Sequence, residues 1–203
     1  MNKSFITHPS VLPIIALLVL VYGVMFYTPT IPKNSIAPTL ERKVIYNFFI
    51  YGCTPCASFY TFIKKLDAQL PDHYQIEPIP VIKNDITRLQ ARLHYTAIHL
   101  NMLQAVEADA YKQGPSLATK EEMEQFLVKH SQGKLTQYIV DTTFRSGEVT
   151  REIERAERMY KQFNIHDFPA LVVEGKVIDK RVGAFQDMLD DTLEIAWQRK
   201  SSN

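Results

Sequence analysis

The chain contains only two cysteines in 203 residues, Cys53 and Cys56. With no third thiol, nothing else in the chain can shuttle electrons to or from this pair. Any redox role therefore needs another protein or a small thiol as partner. No dense Lys/Arg cluster appears, and the net charge is +1, so the electrostatic footprint of a nucleic-acid binder is missing. Arg151, Arg155 and Arg158 share a helix face, but Glu152, Glu154 and Glu157 interleave with them, which reads as a solvated surface. No second ligand pair at finger-like spacing accompanies the cysteines, which argues against a zinc site. His94 and His99 are five apart, share no helix face and read as incidental surface or packing residues. Internal repeats and low-complexity segments are also lacking.

Apolar content of 46% and charged content of 22% are ordinary for a globular domain. One segment stands apart. Val11 to Tyr27 is 17 residues without a charge, roughly 25 Å as a helix, just short of a usual bilayer core. It is compatible with a long signal-peptide core or a short membrane anchor. Ser35-Ile36-Ala37 offers small residues for cleavage but lies well past Tyr27, with Pro38 next, which favours the uncleaved anchor. Either way the expectation is that the rest of the chain crosses a membrane. Pro29, Pro32 and Pro38 make the following stretch an extended linker.

Outside the cytosol a lone cysteine pair can be a structural disulfide. A gap of two residues makes a poor staple, because a short loop removes little entropy from the unfolded chain. The alternative is reactivity. Lys43 to Tyr51 is continuously apolar, aromatic and β-branched, as in a buried strand. Phe59, Phe62, Ile63, Leu66 and Leu70 then recur at helical spacing, and Pro71 closes the helix. Pro55 falls in its first turn, where a missing amide costs nothing. Cys53 is thus expected at a helix N-terminus, where unpaired amides and the helix dipole favour a thiolate. Cys56 is expected one turn inside.

Gln75 to Val81 reads as a second strand, pushed toward a sheet edge by Pro78 and Pro80. From Lys83 to Phe163 helical periodicity prevails. Ile86, Leu89, Leu93, Ala97, Leu100 and Leu103 form one stripe ending near Gly114-Pro115. Thr119 to Glu122 is a capping-box pattern opening the next helix. Leu135 to Phe144 is a further helix, ended by Ser146-Gly147, and Thr150 to Phe163 another. Strand character returns at Pro169 to Val173, with Glu174-Gly175 a tight turn into Lys176-Val177-Ile178. A last helix runs from about Ala184 to Trp197.

A CxxC pair between a buried strand and a helix reads as a thioredoxin-like redox motif. Together with the inserted helices and Phe168-Pro169-Ala170-Leu171-Val172-Val173-Glu174-Gly175-Lys176, the segment Phe48 to Cys56 resembles the periplasmic disulfide-bond oxidoreductases of the DsbA family. The resemblance covers roughly residues 42–200. It implies an α/β, thioredoxin-like fold with an inserted all-helical domain. The division would be 1–27 signal or anchor, 28–41 linker, 42–82 and 164–200 thioredoxin-like domain, and 83–163 helical insert.

In that family the proline matching Pro169 is cis and lies beside the cysteines. The backbone of Phe168 would then be free to hydrogen-bond an extended substrate. The resemblance implies that Cys53 forms the mixed disulfide and Cys56 resolves it, with Phe48, Phe49, Tyr51 and Phe168 supplying apolar surface. Phe48 and Phe49 cannot both face the same way along a strand. No metal or organic cofactor is implied. The expected partners are exported proteins carrying cysteines and a quinone-linked membrane oxidase of the DsbB kind, in the periplasm, with the chain tethered to the inner membrane or released as a cleaved soluble form.

Two departures bear on strength and direction. Asn47 stands where family members commonly carry a buried acid, so any carboxylate that assists Cys56 comes from elsewhere, or water does the work. Thr54-Pro55 replaces the Pro-His of strongly oxidising members, which predicts a milder oxidant. His166, three residues before Pro169, reads as a surface loop residue in preference to one that approaches the site and compensates for the missing histidine. A reductase or isomerase kept reduced by a membrane donor, and a non-catalytic binding module or chaperone, remain as alternatives.

Overall fold

The computed structural model describes residues 42–179 and 185–198. The signal or anchor reading of 1–27, the linker of 28–41 and the start of the last helix at Ala184 lie outside the described residues.

Strand β1 (Lys43–Phe49) carries the apolar run and pairs in parallel with β2 (Tyr74–Pro80), Lys43 opposite Tyr74 and Phe49 opposite Pro80. Its other edge pairs antiparallel with β3 (Ala170–Val173), Asn47 opposite Leu171, and β3 continues into β4 (Lys176–Asp179). The sheet order is β2-β1-β3-β4, so β2 is an edge, where Pro78 and Pro80 cost few ladder bonds. The β3–β4 turn uses Glu174 at φ 49° and Gly175 at φ 83°, both positive, as a two-residue hairpin of this hand requires.

Helix α1 (Thr54–Asp67) links β1 to β2. Helices α2 (Asp85–His99), α3 (Leu103–Gln113), α4 (Lys120–His130), α5 (Gln137–Phe144) and α6 (Gly147–Gln162) all fall between β2 and β3. Helix α7 (Phe185–Gln198) follows the hairpin. This is a thioredoxin-like arrangement, a mixed sheet covered on both faces, with helices inserted between its halves. Among the described residues no helix is long and apolar enough to cross a membrane.

The alternation of β1 distributes the core. Ile45 joins Phe59, Ile63 and Leu66 of α1 and Met188 and Leu189 of α7 on one face. Phe48 points to the opposite face, against Ile153, Ala156 and Met159 of α6. Phe49 and Tyr51, at the strand's end, turn into the helical block with Leu93, Val106 and Met123.

Several boundaries differ from those the sequence predicts. β1 ends at Phe49, because Tyr51-Gly52 forms a turn in which the Cys53 amide bonds the Ile50 carbonyl at 3.2 Å. The long helical stripe breaks between α2 and α3: Asn101 adopts φ 55° and the Met102 amide reaches back to the Ala97 carbonyl at 2.7 Å, a left-handed C-terminal closure. Ile86, assigned to that stripe, is 48% exposed. Ser146-Gly147 opens α6 rather than merely ending α5, since the Ser146 hydroxyl accepts from the Val149 amide. α5 begins at Gln137 because the Thr136 hydroxyl caps it. Nor is the arginine face of α6 simply solvated: Arg155 makes a two-pronged pair with Glu77 of β2, tying helix to sheet. The capping box of α4 forms as predicted, Thr119 Oγ1 accepting from the Glu122 amide and the Glu122 carboxylate from the Thr119 amide.

Two substitutions separate the contributions of core and cap. Phe48→Ala, at a side chain with 0% exposure, is expected to cost about 3–5 kcal/mol. Thr119→Ala is expected to cost only about 1 kcal/mol. Urea denaturation of both variants checks the ratio.

Candidate functional site

The site begins where β1 runs out. Ile50, Tyr51 and Gly52 turn the chain so that Cys53 becomes the N-cap of α1, in extended geometry with φ −94° and ψ 112°. Its Sγ accepts from the Cys56 amide at 3.2 Å, and its carbonyl accepts from the Ala57 amide at 3.0 Å. Pro55 sits in the first turn, so the amide it lacks is one that would have had no helical partner.

Cys53 and Cys56 are joined as a disulfide, with their Cα atoms 5.2 Å apart. Their surroundings differ sharply. Cys53 is half-buried and Thr54 exposed, whereas Cys56 is 2% exposed within the cluster of Phe49, Tyr51 and Tyr111. One sulfur can be approached; the other cannot without movement.

The Phe168–Pro169 peptide bond is cis and leads directly into β3. Phe168 and Cys53 line one groove of about 360 Å³, together with Ile50, Ile86, Gln90 and Pro115. The Lys83 ammonium lies 4.8 Å from the Phe168 ring centre. Apolar surface beside the cysteine thus comes from Phe168 and the exposed Ile86. Phe48, Phe49 and Tyr51 do not supply it, being 0%, 1% and 2% exposed: all three are core. His166 is exposed and does not line the groove.

Beneath the helix lies Asn47, 4% exposed, its Oδ1 without a hydrogen-bond partner. It lines a cavity of about 190 Å³ with Tyr60, Lys64 and Glu107. Lys64 Nζ is 3.5 Å from Glu107 Oε2. Burial, then the Glu107 carboxylate, raises the Tyr60 phenol above its ordinary value. A carboxylate therefore stands in the space below the cysteine helix, contributed by α3 and not by β1. Sequence reading missed it because Glu107 belongs to an unremarkable helix, and only the packing of α3 against α1 brings it there.

His94 is no incidental residue. It is fully buried, and its Nδ1 lies 2.8 Å from the Tyr51 hydroxyl. Burial lowers its pKa to about 3, opposed by the Pro78 carbonyl. The ring is therefore neutral, and its Nδ1 shares one hydrogen bond with the Tyr51 phenol. His99, by contrast, is exposed. Among the described residues no three His, Cys, Asp or Glu side chains converge as a metal site would need.

No protein-family model matches the chain. The thiol:disulfide interchange protein DsbA of Azotobacter vinelandii is 26% identical over 140 residues, 65% of this chain and 62% of its own length. The match thus spans less than two thirds of that relative. In structure, Pseudomonas aeruginosa DsbA superposes with a TM-score of 0.71 at 20% identity, covering 80% of this chain and 86% of that one. The DsbA oxidoreductase of Xylella fastidiosa gives 0.71 at 18% identity, covering 80% and 89%. The chain is DsbA-like in sequence and in fold.

The neutral His94 carries a pH signature. Unfolded, the imidazole takes a proton near pH 6.5; folded, only near 3. Its contribution to stability is therefore complete above 6.5 and is lost as pH falls toward 3, by up to about 1.4 kcal/mol per pH unit. His94→Gln removes that slope. The gap in unfolding free energy between wild type and variant should narrow as pH drops from 7 to 4 in urea titrations.

Proposed function

We propose that the protein is a thiol-disulfide oxidoreductase working at Cys53 and Cys56. The observation that carries this reading is the asymmetry of the pair. Cys53 Sγ is approachable and sits at a helix N-terminus, where it receives the Cys56 amide at 3.2 Å, while Cys56 is 2% exposed. The DsbA-like relatives support the same reading.

The exchange follows from this geometry. A substrate thiolate attacks Cys53 Sγ; the Cys53–Cys56 bond breaks, Cys56 leaves as a thiolate and takes up a proton. A second substrate thiolate then attacks the substrate sulfur of the mixed disulfide and releases Cys53 as a thiolate. The substrate loses two electrons as its disulfide forms, and the pair gains them. A stabilised Cys53 thiolate is the better leaving group, which favours passing the disulfide outward. Phe168 and Ile86 would flank the incoming segment, Phe168 offering its backbone and Pro169 fixing the turn. Thr54 and Pro55 place no ionisable group between the sulfurs, which suits a milder oxidant. The substrates in this reading are exported proteins with cysteines, in the periplasm. The electrons leave to a quinone-linked membrane oxidase.

The same Thr54-Pro55 pair leaves a second reading, a reductase or isomerase kept reduced by a membrane donor. Equilibration with glutathione separates the two, since a strongly reducing potential overturns the oxidase direction. For the activity itself, the lone Cys53 thiolate of Cys56→Ser is expected to attack the disulfide of an oxidised substrate protein, release one substrate thiolate and accumulate as the mixed disulfide. Cys53→Ser is expected to abolish exchange completely, seen on non-reducing gels. Retained function in Cys53→Ser would instead support a non-catalytic binding module.

A further inference from the structure

We propose that the inserted helices tune Cys53 through a grip on the Tyr51-Gly52 peptide made by His94, Gln90 and Gly114, a role that rests on the redox reading above. Gly114 rests on the backbone of the two residues immediately before the cysteine, Gln90 holds the Gly114 carbonyl and His94 holds the Tyr51 hydroxyl; all three lie outside the thioredoxin-like half.

Gly114, after the last residue of α3, is the closest point. A Cβ built there would lie 2.4 Å from the carbonyl carbon and oxygen of Tyr51 and 2.8 Å from the Gly52 nitrogen. Its own backbone is ordinary right-handed helix, φ −47° and ψ −41°, so any residue could adopt its conformation. The requirement for glycine is one of space: the backbone of the insert rests directly on the peptide that delivers Cys53.

Gln90 locks that contact. Its Nε2 donates to the Gly114 carbonyl at 3.0 Å and lies 3.6 Å from where a Cβ on Gly52 would stand. One turn on along the same face of α2, His94 Nδ1 lies 2.8 Å from the Tyr51 hydroxyl, within hydrogen-bond reach. Residues four apart on a helix are neighbours, so α2 presents both to the same dipeptide. Gln90 and His94 are 4% and 0% exposed, and Gln90 Oε1 has no hydrogen-bond partner. An apolar side chain of that size would avoid that desolvation cost, but it could not hold the Gly114 carbonyl.

The consequence reaches the sulfur by a short route. Cys53 takes the Cys56 amide only while it keeps the extended N-cap conformation, and Gly52 is the residue that would otherwise swing it. Loosening the Tyr51-Gly52 peptide lets Sγ leave the helix N-terminus. That costs the reduced form its thiolate stabilisation and leaves the disulfide form largely unaffected. A packing role alone would weaken both forms equally and leave their ratio untouched.

The experiment compares Gly114→Ala, Gln90→Ala and His94→Gln with Ile153→Val, a core change on the opposite face of the sheet. For each, the equilibrium with glutathione is measured, along with thermal unfolding of the oxidised and the reduced protein. The grip variants are expected to shift the equilibrium toward the disulfide by about two- to five-fold, the range of a helix-terminus charge interaction. Ile153→Val is expected to lower both melting temperatures alike and leave the equilibrium in place. If Gly114→Ala does not fold, Gln90→Ala and His94→Gln decide the matter, since neither introduces a clash. Grip variants that lose stability with an unchanged equilibrium overturn the proposal. A wild-type pair that does not exchange with glutathione at all overturns the redox reading instead, so the two failures are distinguishable.

Discussion

Everything at this site depends on one constraint: an α-helix begins with backbone amides that have no partner within the helix, and here a sulfur fills that gap. Cys53 caps α1, and the Cys56 amide donates to its Sγ. A polarisable group that can carry negative charge is thereby placed where negative charge is favoured. The spacing of the pair follows from the same geometry. Two residues of helix return Cys56 to within 5.2 Å of Cys53, Cα to Cα, close enough for a disulfide, with one sulfur outside and the other within the core.

The sheet and the insert divide the remaining work. β1 aims its end at the site and sends Ile45 and Phe48 into opposite layers, which anchors the strand on both faces. The hairpin partner β3 brings Pro169 and Phe168 alongside. The helical block covers the strand's end with Phe49, Tyr51 and Cys56 as shared core and contributes Ile86 and Pro115 to the groove. It also contributes Glu107 to the space beneath α1, where Asn47 leaves an unpartnered carbonyl oxygen. The inserted helices thus share core with Cys56 and line the groove at Cys53, while Phe168 of the thioredoxin-like half lines that groove from its own side.

Features set by local chemistry were legible from sequence. The apolar run of β1, the helical spacing after Pro55, the reciprocal pair of Thr119 and Glu122 and the turn at Glu174-Gly175 each carry their cause within a few residues. Helix ends set by a left-handed residue were less so: Asn101 breaks a stripe whose periodicity runs straight through it. Ser146 looks the same as a terminator or as a cap until its hydroxyl is seen on the Val149 amide. Least legible were contacts between distant segments. Arg155 reaches Glu77, His94 reaches Tyr51 and Gly114 rests on the Tyr51-Gly52 peptide. No local pattern encodes those meetings, and they are the ones that position the cysteine. The same limit explains why Phe48, Phe49 and Tyr51 read as site surface, since apolar residues beside a motif look alike whether they line a groove or fill a core.

The central claim is that the N-terminus of α1 holds Cys53 as a stabilised thiolate once the pair is reduced. Thiolate absorbance of the reduced protein, followed against pH with Cys56→Ser as the single-thiol reference, measures it directly. The account predicts a midpoint below about 7.5, well under the roughly 8.5 of a free cysteine. A midpoint at or above that of the free thiol would contradict it.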